Sequence, residues 1–426
     1  MNFQRQDLES YRKYLMYGWD PAGKVLVEGK GCIVKDIDGK EYLDCASQAF
    51  VLNVGYSHPE VLKAVTEQMR KLSHCIEEFD TPPRLKLAKK LAEIAPGKLK
   101  KCHFSTSGGD AVESALKLAM LNMKRHKFIT LYDGYHGRTL ATMAASYPHT
   151  HNWFAPFMEH FVRVPNPYCY RCVFKLEYPG CDLLCAEQID VTISKAAENV
   201  GAVLLEPVQG NGGSITPPKE YLPTVRKICD KYGLLLIFDE IQTAFGRVGK
   251  MFAAQLYQTI PDIMVFGKAL GGGFPLSGII ARENLEPFGS GDDATTFANN
   301  PVSCAAALAN LEIIERENLA KHAAEMGNYI TTRLRELQGK YPLIGDIRGP
   351  GLMTAAELVE DPATKKPAPD EAGRLCEEGL KRGVIFGRNR YAGKGNVVKI
   401  KPPLNIEKEQ VDKIIDVFEE SLKTVT

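Results

Sequence analysis

The chain has 426 residues, enough for one large domain and a smaller one around sizeable cores. Lysine and arginine number 53 against 52 aspartate and glutamate, so the net charge of +1 predicts no binding to nucleic acid or to an anionic membrane. No apolar stretch approaches the roughly 18 residues that span a bilayer. Eleven cysteines and a polar start without a signal-peptide core indicate a reducing compartment, and we expect a soluble cytoplasmic enzyme.

The first part of the chain predicts short strands followed by helices. Residues 25–44 predict strands with a tight turn at Asp38-Gly39, which is a strong hairpin signal. Apolar residues at helical spacing then predict helices over Val61–Leu72 and Leu85–Ile94. None of these elements carries an obvious chemical group, so they indicate scaffold.

The run 103–110, with the sequence His-Phe-Ser-Thr-Ser-Gly-Gly-Asp, precedes a helical pattern that continues to Arg125. A turn of small residues that opens a helix offers free backbone N–H groups, and the helix dipole favours a phosphate dianion there. On these residues alone, a plain helix cap by Ser107 or Asp110 is the simpler interpretation.

Three continuous apolar runs later in the chain predict strands buried on both faces, as in a parallel sheet. Each run delivers a charged group where the strand stops, namely Glu206, Asp239 and Lys268. Ligands of open α/β sheets bind in the crevice beyond the carboxyl ends of the strands. An acid and an amine brought together there suit a cofactor with a cationic ring nitrogen and a carbonyl. Taken singly, each group is also consistent with a turn cap or a solvated surface charge.

The order of these motifs resembles that of the class III aminotransferases, which are pyridoxal-phosphate enzymes of fold type I. The resemblance extends from about residue 25 to 420 and rests on two sequences: Phe-Asp-Glu-Ile-Gln-Thr-Ala-Phe-Gly-Arg at 238–247 and Phe-Gly-Lys-Ala-Leu-Gly-Gly-Gly-Phe-Pro at 266–275. It implies an α/β fold with a large cofactor-binding domain at 61–315, built on a mostly parallel sheet flanked by helices. A smaller α+β domain at 316–426 would pack with the N-terminal segment 1–60.

The resemblance also implies roles toward pyridoxal 5'-phosphate. Lys268 would hold the cofactor aldehyde as a Schiff base and move the proton, and Asp239 would pair with the protonated ring nitrogen. Gln242 would bind the phenolate oxygen of the ring. The other residues implied for the cofactor are Ser107, Gly108, Gly109 and Thr296 at the phosphate, Tyr135 stacked on the ring, His136 beside it, and Glu206.

Three residues are implied for the substrates, which would be an amino acid and a 2-oxo acid used in a ping-pong mechanism. Arg138 matches a position that binds a substrate carboxylate in relatives, although a structural ion pair is an alternative. Glu206 would lie beside the substrate. Many relatives have an arginine at the position of Lys399, where it grips the α-carboxylate. Lysine keeps the charge but loses the planar fork, which leaves room for pyruvate or another small oxo acid.

The segment 293–301, with the sequence Asp-Ala-Thr-Thr-Phe-Ala-Asn-Asn-Pro, resembles a family segment whose threonine binds the phosphate of the neighbouring subunit. If Thr296 does so, the active unit is a homodimer. Within the same superfamily, a racemase or epimerase and an amino-alcohol-phosphate phospho-lyase remain alternatives to a transaminase. A binding protein with a relic site is the non-enzymatic alternative.

Four of the eleven cysteines fall within residues 169–185. A Cys-x-x-Cys pair with two more cysteines nearby could close a tetrahedral thiolate site for zinc. Against a metal, the second pair has a wider gap, and free cysteines often pack as small apolar groups. The family pattern does not require these residues, and neither interpretation gives them a catalytic role. They are Cys169, Cys172, Cys181 and Cys185.

Overall fold

The computed structural model describes residues 8–18, 22–146, 158–195, 198–389 and 393–426. These residues form an α/β structure with two sheets flanked by helices, which confirms the predicted fold class. Among them, no helix combines the length and the apolar character needed to cross a bilayer. The helices are Leu8–Arg12, Pro59–Lys71, Pro82–Ile94, Gly108–Met123, Leu140–Ala145, Leu184–Lys195, Tyr221–Tyr232, Ala253–Leu256, Pro301–Arg316, Leu319–Gln338, Pro369–Lys381 and Lys408–Val425.

The large sheet has seven strands within the described residues. Their spatial order is Leu99–Ser105, Ser277–Arg282, Ile263–Phe266, Leu235–Asp239, Val200–Leu205, Lys127–Leu131 and Phe161–Val164. All neighbours pair in parallel except Ser277–Arg282, which is antiparallel to both strands beside it. Every residue of the three central strands is buried, as their continuous apolar runs predict.

The small sheet joins the beginning of the chain to its end. Its strands are, in spatial order, Leu26–Lys30, Ile33–Asp36, Glu41–Cys45, Val384–Arg388, Val397–Ile400, Thr354–Asp361 and Ile344–Arg348, with Lys366–Pro367 paired to Thr354–Asp361. The junction is the parallel pairing of Glu41–Cys45 with Val384–Arg388. The N-terminal strands therefore complete a sheet that is mostly C-terminal. The domain boundaries near residues 60 and 315 stay a prediction.

Local sequence explains where two of the helices begin. Helix Gly108–Met123 starts after Ser107, whose hydroxyl accepts a hydrogen bond from the Asp110 N–H at 3.3 Å. Helix Pro301–Arg316 starts after Asn300, whose side chain accepts from two backbone N–H groups of the first turn, with proline at the first helical position. Such caps fix the residues at which these two helices start.

Candidate active site

Four strands that run in the same direction end around one cavity of about 440 Å³. The cavity therefore lies where the topology of an open α/β sheet places a ligand. It brings together most of the residues predicted to contact cofactor or substrate. These are Ser107, Gly108, Gly109, Tyr135, His136, Arg138, Asp239, Gln242 and Lys268.

Asp239 is the last residue of its strand and is held by two hydrogen bonds. One carboxylate oxygen lies 2.8 Å from Nδ1 of His136, and the other accepts from the Ile241 N–H at 3.1 Å. Both side chains are buried, so a carboxylate here has His136 Nδ1–H as its donor. The bond leaves acceptor capacity on Asp239 for a further N–H in the cavity. The sequence placed His136 beside the ring but did not predict this contact.

Lys268 follows the strand Ile263–Phe266 and begins a short 3₁₀ turn, Lys268–Gly271. Its φ of 43° lies in the left-handed region, where non-glycine residues are strained and often functional. Asn310 holds the turn from behind, because its side-chain amide donates to the Ala269 carbonyl at 2.7 Å. Burial lowers the pKa of the Lys268 amine, against the opposing charge of Asp239 and Glu206. A neutral amine is what a proton-transfer role requires.

Gln242 is pressed against the backbone of Gly210. A Cβ atom at residue 210 would lie 2.2 Å from Oε1 of Gln242, so only glycine leaves this side chain in place. The start of helix Gly108–Met123 also lines the cavity, and its free backbone N–H groups point out of the helix. The cavity thus offers an anion site at one end and a carboxylate at another.

Comparison with known protein families identifies the family of this chain. The profile described as "Aminotransferase class-III" matches residues 19–422. The chain belongs to the class III aminotransferase family. It is 38% identical over 410 residues to an acetylornithine aminotransferase of Methanosarcina mazei, covering 96% of this chain and 94% of that one. It is also 38% identical over 410 residues to a leucine/methionine racemase of Thermococcus litoralis, covering 94% and 91%.

A solved structure confirms the likeness over the full length. The crystal structure of a Bacillus anthracis aminotransferase matches with a TM-score of 0.92 and 34% identity, covering 99% of this chain and 100% of that one. The predicted family, fold and enzyme class are therefore confirmed, and the protein is a class III transaminase.

Two predicted residues of this transaminase, Glu206 and Lys399, are not among the lining residues of this cavity but contact the backbone of residues next to it. The Glu206 carboxylate accepts from the backbone N–H groups of Tyr135 and Gly210, both at 2.9 Å. Burial raises the pKa of Glu206 to about 7, and the Asp239 charge adds to the rise. Lys399 Nζ donates to the Gly210 carbonyl at 3.4 Å, and burial beside Lys268 lowers the pKa of Lys399 to about 8.

Beyond Lys399 lies a cluster that the sequence did not predict. Residues Ser47–Phe50 form a left-handed turn, with φ values of 39°, 43°, 63° and 70°. Lys401 is buried with its Nζ 3.9 Å from the centre of the Phe50 ring, and it donates to the Ala46 carbonyl at 2.9 Å. Arg247 donates to Asn53 at 2.7 Å and to Ser47 at 3.3 Å.

The remaining predicted residues lie at the surface. Arg138 is exposed at the mouth of the cavity. Thr296 is exposed and lies outside the cavity wall among the described residues, and the adjacent Phe297 is 61% exposed. The four clustered cysteines are free thiols that line a separate small cavity.

Proposed function

We propose that this transaminase holds pyridoxal 5'-phosphate in the 440 Å³ cavity, bonded to Lys268, and moves an amino group from an amino acid to a 2-oxo acid. The observation that carries the proposal is that Asp239, Gln242 and Lys268 line one cavity with the helix start at Ser107. When bound, the cofactor supplies an aldehyde that condenses with amines and a cationic ring that accepts the electron pair of the substrate Cα.

The residues fit that group at each of its polar ends. The backbone N–H groups of Gly108 and Gly109, at the start of a helix, suit a phosphate dianion. Asp239, fixed by His136 and the Ile241 N–H, is oriented to accept from a protonated ring nitrogen and to keep it protonated. Gln242, held in place by Gly210, can donate to the phenolate oxygen.

Lys268 carries the proton in this scheme. Because burial lowers its pKa, the amine released by an incoming substrate accepts the proton from the substrate Cα at its Nζ. The same Nζ would hold that proton until it is delivered in the second half of the transfer. Tyr135, which lines the cavity, would cover one face of the bound ring.

We further propose that two cationic side chains, Lys399 and Arg138, recognise the carboxylates of the substrates. Lys399 has a pKa of about 8 and is mostly protonated at neutral pH, so it can bind the α-carboxylate. Arg138 at the mouth of the cavity suits a second carboxylate of the substrate. This arrangement favours α-amino or ω-amino carboxylates as donors, and a small oxo acid such as pyruvate as acceptor.

The exposed Thr296 supports a homodimer as the active unit. The Thr296 side chain is exposed, does not line its own cavity and is followed by the exposed ring of Phe297, and this exposure supports contact with a second copy. We propose that it donates to the phosphate bound by the partner subunit. The eleven free cysteines fit a reducing compartment such as the cytoplasm.

A half-reaction screen tests the proposal. Single amino acids are mixed with the enzyme, and loss of the visible absorbance of the attached cofactor identifies donors; 2-oxo acids that restore it are acceptors. Transamination predicts bleaching by a donor alone and recovery only with an oxo acid. Interconversion of amino-acid enantiomers without an oxo acid would instead favour a racemase, which one 38% identical relative is.

A further inference from the structure

The loop between strand Phe161–Val164 and helix Leu184–Lys195 carries thiols that transamination does not use. Its regular structure is limited to the short turn Cys169–Arg171, and connections this long with so little regular structure are usually functional or specially held. Its four cysteines are all free, and all line one cavity of about 20 Å³. That volume accommodates one small ion or water but no organic ligand.

The outer side of this loop is fastened to the small sheet by polar contacts. Tyr168 and Arg171 both donate to the carboxylate of Glu357, which is fully buried. Arg348 donates to the Tyr168 hydroxyl at 2.8 Å, and its guanidinium lies 4.7 Å from the centre of that ring. On the inner side, Asn166 donates to Gln209 at 2.9 Å and Tyr178 donates to Glu220 at 2.6 Å, but thiols and apolar side chains make up most of the cavity wall between them.

The backbone bends sharply between the second pair of cysteines. Asp182 and Leu183 are adjacent left-handed residues with φ values of 47° and 56°, a conformation that is rare for leucine and needs support from its surroundings. The bend lets Cys181 and Cys185 line the same cavity as the Cys169–Arg171 turn. Cys185 also lies in the first turn of helix Leu184–Lys195, which fixes its position relative to the bend.

We propose that Cys169, Cys172, Cys181 and Cys185 bind one structural zinc ion that fastens this loop from the inside. Four thiolates with no open position are the donor set of a structural zinc site. Tetrahedral coordination would bring the sulfur atoms to about 3.8 Å from one another. No three of them lie within 4.8 Å of one another in the structure, so binding includes side-chain rotation. The exposed Cys169 provides the route of entry.

The zinc content of the full-length holoenzyme tests this site. The protein is purified under reducing conditions without chelators or metal resins, and metals are measured by elemental mass spectrometry. We expect about one zinc ion per chain in the wild type. The variant Cys169→Ser/Cys172→Ser/Cys181→Ser/Cys185→Ser is expected to hold less than about a tenth of that, and the control Cys75→Ser/Cys376→Ser to retain it.

A second measurement on the wild type keeps the test decisive if the four-serine variant does not fold. Protein produced with cobalt should show the red absorption bands of tetrahedral cobalt thiolate, where pyridoxal phosphate does not absorb, and a mercurial thiol reagent should release the metal. Absence of both zinc and cobalt bands would overturn the proposal. Disulfides among these four cysteines, detected by mass spectrometry of the reduced preparation, would overturn it as well.

One other group of side chains could bind the metal instead. Among the described residues, His58, Glu60 and Glu317 have ligating atoms within 4.8 Å of one another. Arg316 already donates to both carboxylates, which opposes a cation there. The variant His58→Ala is expected to keep its zinc. Loss of zinc in this variant, together with unchanged zinc in the four-serine variant, would move the site away from the loop and overturn the assignment.

Discussion

The proposed cofactor side and the proposed substrate side of the active site are built from different structural elements. The cofactor side comprises the Ser107–Gly109 turn, Asp239, Gln242 and Lys268, which stand at the ends of strands or the start of a helix of the large sheet. The proposed substrate side comprises Lys399 and the neighbouring cluster of Arg247, Lys401 and the left-handed turn Ser47–Phe50. The first side is regular, and the second is irregular.

The two sides also differ in whether their buried charged groups have partners of opposite charge. Asp239 on the cofactor side has His136 as a partner at 2.8 Å. On the substrate side, burial lowers the pKa of Lys399 to about 8 and that of Arg247 to about 9, and it lowers the pKa of Lys401 further below its usual value. Buried cations with depressed pKa values gain from a bound anion, because its charge offsets their desolvation. These lowered pKa values support the proposal that this side binds a carboxylate.

The largest effect is expected on the cofactor side, at Lys268. Lys268→Ala removes the only amine placed to carry the proton among the described residues of the cavity wall, and we expect activity to fall at least about 10⁴-fold. The visible absorbance of the attached cofactor should also disappear. Steady-state kinetics and absorbance spectra check both. Full turnover by this variant would remove the proposed role of the residue.

Asp239→Asn tests the ring contact with a smaller expected loss. An amide cannot hold the ring nitrogen protonated, so we expect a fall in kcat on the order of 10³-fold with the cofactor still bound. The neighbouring Glu240→Gln is the matched control, since Glu240 is buried and accepts from the Ala253 and Ala254 N–H groups away from the cavity. It should lower the melting temperature but leave the spectrum. Equal rates for Asp239→Asn and wild type would contradict the ring contact.

The cofactor side could be predicted from the sequence better than the substrate side. Continuous apolar runs located the central strands, and the groups at their ends, Asp239 and Lys268, fall at the cavity as predicted. Parallel sheets bring strand ends together by topology, so local patterns suffice there. The Ser107 cap and the phosphate turn are not exclusive interpretations, because the Ser107 hydroxyl caps Asp110 while Ser107, Gly108 and Gly109 line the cavity.

The sequence predicted Lys399 for the substrate, but the cluster around the turn Ser47–Phe50 escaped prediction because its contacts are long-range. The left-handed turn Ser47–Phe50 contains no glycine, so no local signal announces four positive φ values. Its supports, Arg247 and Lys401, are distant in sequence. The sequence places Lys401 two residues after Lys399, but its burial follows from the pairing of strands near residues 45 and 386, which no local pattern encodes.

The role of Lys399 on the substrate side can be tested through the pH dependence of KM. Its pKa of about 8 means that the charged form, which binds a carboxylate, is lost as pH rises above about 8. We therefore expect KM for the oxo acid to rise up to about tenfold per pH unit above that value. Lys399→Arg should abolish the rise, since arginine stays charged. Lys399→Met should raise KM about 10- to 100-fold at neutral pH.

The measurement that separates Lys399 from its neighbours is the split between KM and kcat. Glu206, with a pKa of about 7, titrates below the window, whereas Lys268 acts on the proton transfer and therefore on kcat. Profiles of both constants across the alkaline range distinguish the groups. A rise in KM that persists in Lys399→Arg would assign it to another group.

The smallest expected effect concerns Gly210, which connects the two sides. Its carbonyl accepts from Lys399, its N–H donates to Glu206, and its Cα faces Gln242. Gly210→Ala would place a methyl group 2.2 Å from Oε1 of Gln242, so this side chain must move away from the ring oxygen. We expect kcat to fall on the order of 10-fold and the absorbance maximum of the bound cofactor to shift.

Gly233→Ala provides the control for that change, because Gly233 has a φ of 61° at the end of helix Tyr221–Tyr232 and no atom within 4 Å of an added Cβ. It should cost about 1 kcal/mol of folding free energy through backbone strain alone, with the spectrum and kcat unchanged. If Gly210→Ala behaves in the same way, with a lower melting temperature but an unshifted spectrum, then Gln242 does not depend on Gly210. The two sides would then be independent, and the link between substrate recognition and cofactor geometry would have to be sought at Glu206.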